Sequence, residues 1–375
     1  MSQRDQVDAR QPAPPSGLKP ASGPLNIADL RTIAATTLPA ATFDYLEGGA
    51  ADERTLLANC ERYARLRLAP RACVDVSVLD TSLELLGQRL RHPILLSPTA
   101  SHGHFHPDAE AATVRGAAEA EALWTASTMS TLSVTDVGAL TSEPFWFQLY
   151  VQRDRDFTEG LVRRAVAAGA RAIVVTVDTP VPGMRERDAR SGYVLPSADE
   201  TLCVNLRGST AVLDPRGVFD PRIDPTITWR TLAWLVRVAG VPVLAKGIVR
   251  PDDAGRAVDA GVAGVVVSNH GGRNLDTAVA TIDALPGVVR QVAGAVPVLV
   301  DGGVRRGTDI LKALALGATA VGIGRPYVWG LAASGASGVR DAVLLLRREL
   351  EIAMALCGAP NLAAVSADLI WREVD

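Results

Sequence analysis

From Arg91 onward the chain alternates short apolar runs with amphipathic helical stretches, and this rhythm limits the fold more than any other feature. The apolar runs cover 94–97, 123–126, 145–150, 172–177, 243–246, 264–268, 298–301 and 320–323. Their length and β-branched content predict buried parallel strands. Between them, 109–120, 158–168, 251–260 and 307–316 show helical spacing, and several close on a glycine, at Gly169, Gly261 and Gly317. Eight such strands predict an α/β fold of the closed (β/α)8, TIM-barrel type. An open doubly wound sheet would carry a Gly-x-Gly-x-x-Gly turn after its first strand, and none stands there.

Residues 1–24, with Pro12, Pro14, Pro15, Pro20 and Pro24, hold too little apolar surface to offset the entropy of ordering, so a mobile tail is expected. Residues 25–375 then form one domain. It opens with a helical segment: a helix behind the Asn26 cap, a second over 39–46 closing on Gly48-Gly49, and a third over 52–62. One connection breaks the rhythm. Between Asp178 and Thr228 lie roughly fifty residues with Pro180, Pro182, Pro196, Pro215, Pro221 and Pro225, which predict a lid-like loop after the fourth strand.

A net charge of -3 argues against nucleic acid as a partner. No apolar run reaches the roughly 18 residues of a membrane span. Cys60, Cys73, Cys203 and Cys357 are scattered and form no C-x-x-C pair, which suits reduced thiols. With neither a signal-peptide core nor a peroxisomal C-terminus in the sequence, the cytoplasm is expected. His102, His104 and His106 alternate like metal ligands, but they follow Pro98-Thr99 in what should be a loop, so no metal is expected.

In a barrel of this kind the C-terminal strand ends converge on one pocket. Here they carry Pro98-Thr99-Ala100, Ser127, Gln148, Tyr150, Thr176, Asp178, Lys246, Ser268, His270, Asp301-Gly302-Gly303 and Gly324-Arg325. Packing alone does not call for polar groups at eight successive ends. After strands seven and eight, Gly302, Gly303, Arg305, Gly324 and Arg325 offer backbone N–H groups, helix N-termini and two cations, a setting for a phosphate. His270, Asp178, Arg185, Arg273 and Tyr150 combine a base, a carboxylate to orient it, two cations and a phenol. Two arginines around one base suit a substrate with a carboxylate beside the carbon being oxidised. Lys246 is left to face an electron-rich cofactor ring.

These pieces closely resemble the FMN-dependent α-hydroxy-acid oxidases and dehydrogenases, the family of glycolate oxidase, lactate oxidase, mandelate dehydrogenase and the flavin domain of flavocytochrome b2. The resemblance rests on Phe43-Asp44-Tyr45, Ser97-Pro98-Thr99-Ala100, Phe147-Gln148-Leu149-Tyr150, Thr176-Val177-Asp178-Thr179-Pro180, Lys246-Gly247, Ser268-Asn269-His270-Gly271-Gly272-Arg273, Asp301-Gly302-Gly303-Val304-Arg305 and Gly324-Arg325-Pro326. It implies FMN as cofactor. Pro98, Thr99 and Ala100 would lie against the flavin, the Ala100 backbone near N5. Ser127, Gln148 and Thr176 would bond the ring edge, and Lys246 its N1–O2 end, with Ser268 also in contact. Asp301 would hold the ribityl chain, and Gly302, Gly303, Arg305, Gly324 and Arg325 would border the phosphate. His270 resembles the catalytic base, with Asp178 stabilising its imidazolium. Arg185, Arg273 and Tyr45 resemble the clamp on the substrate carboxylate, and Tyr150 the partner of its hydroxyl.

The implied reaction is oxidation of an (S)-2-hydroxy acid to the 2-oxo acid, with O2 as acceptor and H2O2 as product. Two alternatives are a dehydrogenase that passes electrons to a quinone or protein, and a biosynthetic relative acting on a larger aromatic or peptide-derived substrate. A homotetramer is expected by analogy. The chain departs from the family at Asn274, where glutamine is common, and at Met129, where glycolate oxidase has tryptophan. Met129 and Pro182 point to a pocket for a longer or aromatic side chain. Ala100, in place of glycine, leans towards the oxidase branch.

Overall fold

A computed structural model describes residues 23–193, 203–209, 211, 214 and 217–371. Most of the expected N-terminal tail, residues 1–22, lies outside the described residues. Helix α1 (Ile27–Thr37) starts where the Asn26 side chain accepts from the N–H groups of Ala28 and Asp29. Helices α2 (Ala40–Glu47) and α3 (Arg54–Arg65) follow. Next comes an antiparallel hairpin, β1 (Leu83–Leu85) and β2 (Gln88–Leu90), which periodicity did not reveal because each strand has only three residues.

The repeat then runs β3 (Ile94–Leu96), α4 (Ala109–Glu119), β4 (Thr125–Ser127), α5 (Val134–Ala139), β5 (Phe145–Leu149), α6 (Arg155–Ala167) and β6 (Ala170–Thr176). It continues through α7 (Glu186–Ser191), α8 (Trp229–Val238), β7 (Val243–Ile248), α9 (Pro251–Asp259), β8 (Gly264–Val267) and α10 (Thr281–Val292). It ends with β9 (Val298–Val300), α11 (Gly307–Ala315), β10 (Ala320–Ile323) and α12 (Arg325–Leu356). The eight strands β3 to β10 form one sheet in the order β3-β10-β9-β8-β7-β6-β5-β4, every pair parallel. A bridge between Leu96 and Trp124, with Leu96 N–H donating to Leu123 O at 2.9 Å, joins β3 to β4 and closes the barrel. The expected (β/α)8 barrel is the fold observed.

Side-chain alternation along each strand sorts the core into two parts. Ile94, Leu96, Phe147, Val175, Ala245, Val265, Val267, Val300, Val321 and Ile323 face outward and pack with the helices. Leu95, Trp146, Val174, Leu244, Val266, Leu299 and Ala320 face inward and form a separate apolar layer, which Leu85 and Leu90 of the hairpin join. Each such buried aliphatic side chain stabilises the fold by about 1.5–3 kcal/mol.

Two residues further along the same inward faces stand Ser97, Gln148, Thr176, Lys246, Ser268, Asp301 and Gly322. Period two therefore places a polar layer directly above the apolar one. The expected lid-like loop spans 178–228. Its described parts include α7 and a 3₁₀ turn at Val204–Leu206, while 194–202 and several later positions lie outside the described residues.

Candidate active site

The polar layer forms the floor of a cavity of about 1400 Å³, open mouth included. Of the residues singled out from sequence, Tyr45, Pro98, Thr99, Ala100, Ser127, Met129, Gln148, Tyr150, Thr176, Arg185, Lys246, His270, Arg273, Asp301, Gly302, Gly303, Arg305, Gly324 and Arg325 all line it.

His270 follows β8 in a left-handed conformation, φ 57°, which aims its ring across the barrel. Its Nδ1 lies 3.1 Å from Asp178 Oδ1 and 3.3 Å from Thr179 Oγ1, and its Nε2 lies 3.4 Å from the Tyr150 hydroxyl. Burial pushes the Asp178 carboxyl up. The facing His270 imidazole, Lys246 and the Thr179 hydroxyl outweigh that and hold it below the usual carboxylate range. An ionised Asp178 keeps the proton on Nδ1 and leaves Nε2 to accept one. Asn274 supports the pair from outside, donating to Asp178 O at 2.9 Å and to Thr179 Oγ1 at 2.8 Å. The shorter amide thus still reaches this network.

Arg273 is anchored by Nη1, which donates to the carbonyls of Tyr45 and Gly48 at 2.8 Å each. Its guanidinium sits 4.9 Å from the Tyr45 ring centroid, and that of Arg185 sits 5.6 Å from the same centroid. Arg185 is oriented by Asp188, Nε to Oδ2 2.7 Å, on the short helix α7. Burial and the nearby Arg185 charge push Arg273 below its usual value. Two cations held around one phenol ring make an anion site within reach of His270.

A second anion site lies beside the first, and the two share the Gly48 carbonyl as an acceptor. Among the described residues Arg325, at the start of the 32-residue helix α12, donates only to backbone carbonyls: Leu46 O at 2.9 Å, Gly271 O at 3.0 Å and Gly48 O at 2.9 Å. Burial, with Arg273 and Arg305 nearby, pushes its guanidinium well below the usual range. Arg305 stacks over Trp329 at 4.8 Å and donates to Val304 O. Neither Arg305 nor Arg325 makes an ion pair with a carboxylate among the described residues, and such half-buried cations suit an anionic partner. A Cβ at Gly303 would come within 2.1 Å of Asn59 O, so only glycine lets this turn form.

Along the floor of the cavity runs a set of hydrogen-bonded polar side chains. Gln148 accepts from Ser127 Oγ at 3.1 Å and donates to Thr176 Oγ1 at 3.0 Å, while Lys246 Nζ lies 2.9 Å from Ser268 Oγ and 3.4 Å from Asp301 Oδ2. A phosphate cradle, a polyol partner at Asp301, a cation and an amide-bearing ring edge in line match the parts of FMN, so these residues fit that cofactor.

Two residues singled out from sequence stand behind the wall. Asp178 meets the cavity-lining His270 and Thr179, and Ser268, fully buried, accepts from Lys246 Nζ. The three histidines of the 102–106 segment diverge. His102 bonds Thr99 and Thr113, His104 Nδ1 bonds the Tyr193 hydroxyl, and His106 Nδ1 accepts from Asp108 N–H. Among the described residues no group of three potential ligands is placed to hold a metal. Phe105, Asp220 and Ile223 also line the cavity and carried no sequence signal, because they lie well beyond any strand end.

The profile of the FMN-dependent dehydrogenase family matches residues 34–372. The chain is 45% identical over 355 residues to the peroxisomal (S)-2-hydroxy-acid oxidase GLO4 of Oryza sativa subsp. japonica, covering 94% of this chain and 97% of that protein. It is 44% identical to an L-lactate oxidase of Nostoc sp., covering 93% and 98%. Among solved structures, mandelate oxidase with (S)-2-phenylpropionate superposes with a TM-score of 0.84 at 40% identity, covering 94% of this chain and 99% of that one. A mutant of an active chimera of (S)-mandelate dehydrogenase gives 0.87 at 36% identity, covering 93% and 99%. With its barrel, its two anion sites and this match across most of its length, the chain belongs to the FMN-dependent dehydrogenase family.

Proposed function

We propose that this protein oxidises (S)-2-hydroxy acids to 2-oxo acids with FMN as cofactor and O2 as acceptor, releasing H2O2. The observation that carries the reading is the Arg273–Tyr45–Arg185 anion site beside a base whose Nδ1 is held by Asp178 at 3.1 Å. Arg273 and Arg185 bind the substrate carboxylate, and Tyr150 bonds its hydroxyl. His270 Nε2 takes the proton released at the reacting carbon, and Asp178 stabilises the imidazolium that forms. Bound FMN supplies the two-electron acceptor for the substrate carbon. Arg305, Arg325 and the glycines at 302, 303 and 324 would hold its phosphate, Asp301 its ribityl chain, and Lys246 the ring's N1–O2 end. Ser127, Gln148 and Thr176 bond the ring edge, Pro98, Thr99 and Ala100 flank it, and Ser268 supports Lys246.

Met129 and Pro182 in the cavity wall, with the likeness to mandelate oxidase, support substrates with larger side chains than glycolate. The likeness to (S)-mandelate dehydrogenase favours a second reading, in which a quinone or protein takes the electrons. Four free cysteines suit a reducing compartment such as the cytoplasm. A homo-oligomer, as in the resembled family, belongs to the same proposal.

The test is anaerobic bleaching of the flavin by lactate, mandelate and longer (S)-2-hydroxy acids, followed by O2 consumption and H2O2 release. No bleaching by any 2-hydroxy acid would overturn the reading. Bleaching without rapid O2 uptake would favour the dehydrogenase.

A further inference from the structure

The cavity contains one carboxylate that neither the base nor the cofactor strip uses. Asp220 lines the same space as His270, Arg185 and Arg273 and is 9% exposed. Its Oδ1 accepts the backbone N–H groups of Arg222 at 2.9 Å and Ile223 at 3.2 Å. Its Oδ2 takes no hydrogen bond among the described residues. We propose that Asp220 selects the substrate by its far end, favouring (S)-2-hydroxy acids whose side chain ends in a hydrogen-bond donor, an ammonium above all, and turning away those that end in a second carboxylate. This inference rests on the 2-hydroxy-acid reading above.

The position is built. Ile223 pairs with Gln152 across an antiparallel bridge, Asp224 N–H donates to Val151 O at 2.9 Å, and Arg155 grips Asp224 Oδ2 at 2.6 Å. These contacts fasten the 220–224 segment just past the end of β5, next to Tyr150. The cavity also has apolar lining from Met129, Pro182 and Ile223. A carboxylate in such surroundings interacts with a ligand charge more strongly than it would in water.

The sign of the charges sets the direction. Arg273 and Arg185 draw the substrate's own carboxylate to one end. Asp220 then attracts a cation at the end of the side chain and repels an anion there, so it fixes both the orientation and the class of substrate. If Asp220 only tied its own turn, Oδ1 alone would suffice and an asparagine would serve as well.

That difference supplies the test. The kcat/KM of the FMN-loaded enzyme is measured for (S)-6-amino-2-hydroxyhexanoate, for its near-isostere (S)-2-hydroxyheptanoate and for (S)-2-hydroxyglutarate, and again for Asp220→Asn. Asparagine keeps an acceptor for the turn and removes the charge. The expected result is that wild type prefers the amine over the alkyl acid and discriminates against the dicarboxylate. In Asp220→Asn the amine-to-alkyl ratio falls about tenfold or more and the dicarboxylate gains. Ratios equal in the two proteins overturn the proposal. So does a wild type that prefers the dicarboxylate or the alkyl acid, a result that needs no variant. In either case turnover of the alkyl acid leaves the 2-hydroxy-acid reading standing; turnover of none of the three overturns the Asp220 proposal, and the 2-hydroxy-acid reading falls with it only if lactate and mandelate also fail to bleach the flavin.

Discussion

Gly247 backs directly onto Asp178: a Cβ at Gly247 would lie 2.6 Å from both Cβ and Cγ of that carboxylate. The glycine has φ +108° and sits where the pairing of β7 with β8 slips between Lys246 and Ile248. One residue without a side chain thus serves two purposes. It lets the strand bulge while Lys246 faces inward, and it leaves room for Asp178 to meet His270.

Gly247→Ala is therefore expected to displace Asp178 and lower kcat about tenfold or more, with a stability cost of about 1–3 kcal/mol for the strained backbone. Steady-state kinetics and urea unfolding on the same preparation measure both. A variant with wild-type kcat would show that Asp178 does not need this seat.

His270→Gln should bind FMN and keep the yellow colour, because the residues proposed for the phosphate and the ring are others. Turnover should fall by about 10²–10⁴, the usual contribution of a placed general base. Flavin reduction at the wild-type rate, followed by stopped-flow absorbance, would contradict the assignment.

Arg273→Met is expected to raise KM about 10- to 100-fold by removing a charge-assisted contact to the substrate carboxylate. It should also loosen the end of α2, since the same guanidinium holds the carbonyls of Tyr45 and Gly48. Initial rates together with the melting temperature separate the two effects. An unchanged KM would remove Arg273 from the clamp.

Burial, with the Asp178 charge nearby, pushes the Tyr150 phenol well above its usual value, so it stays protonated through the alkaline range. Tyr150→Phe should lower kcat while leaving the alkaline limb of the rate profile where it is. Asp178 behaves in the opposite sense. Its carboxyl is held low in the folded state, so its stabilisation is fully present above the ordinary carboxylate value of about 3.9 and is lost as pH falls through the lowered one. Urea midpoints across an acid pH series should therefore fall less steeply for Asp178→Asn than for wild type. Parallel curves would count against the coupling.

The eight strands, their helices and the polar strand ends could all be read from the chain, because side-chain period and composition are local properties that survive any arrangement in space. The residues assigned from sequence to phosphate and to substrate share one cavity, Asp178 excepted. Which partners meet depended on barrel closure. His270 and Asp178 are 92 residues apart and touch only because β6, β7 and β8 lie side by side in register. The hairpin that joins the barrel floor was too short to show a period. Ser268 was singled out for the cofactor, and the contact that only the tertiary structure reveals is the bond it accepts from Lys246 Nζ at 2.9 Å. Asp220 reaches the cavity from deep within the proline-rich connection, where no motif singles it out, and the pairing of Ile223 with Gln152 and the Asp224–Val151 bond carry it there. Local pattern decided what each segment would become, and the long-range register of a closed sheet decided which side chains share one space.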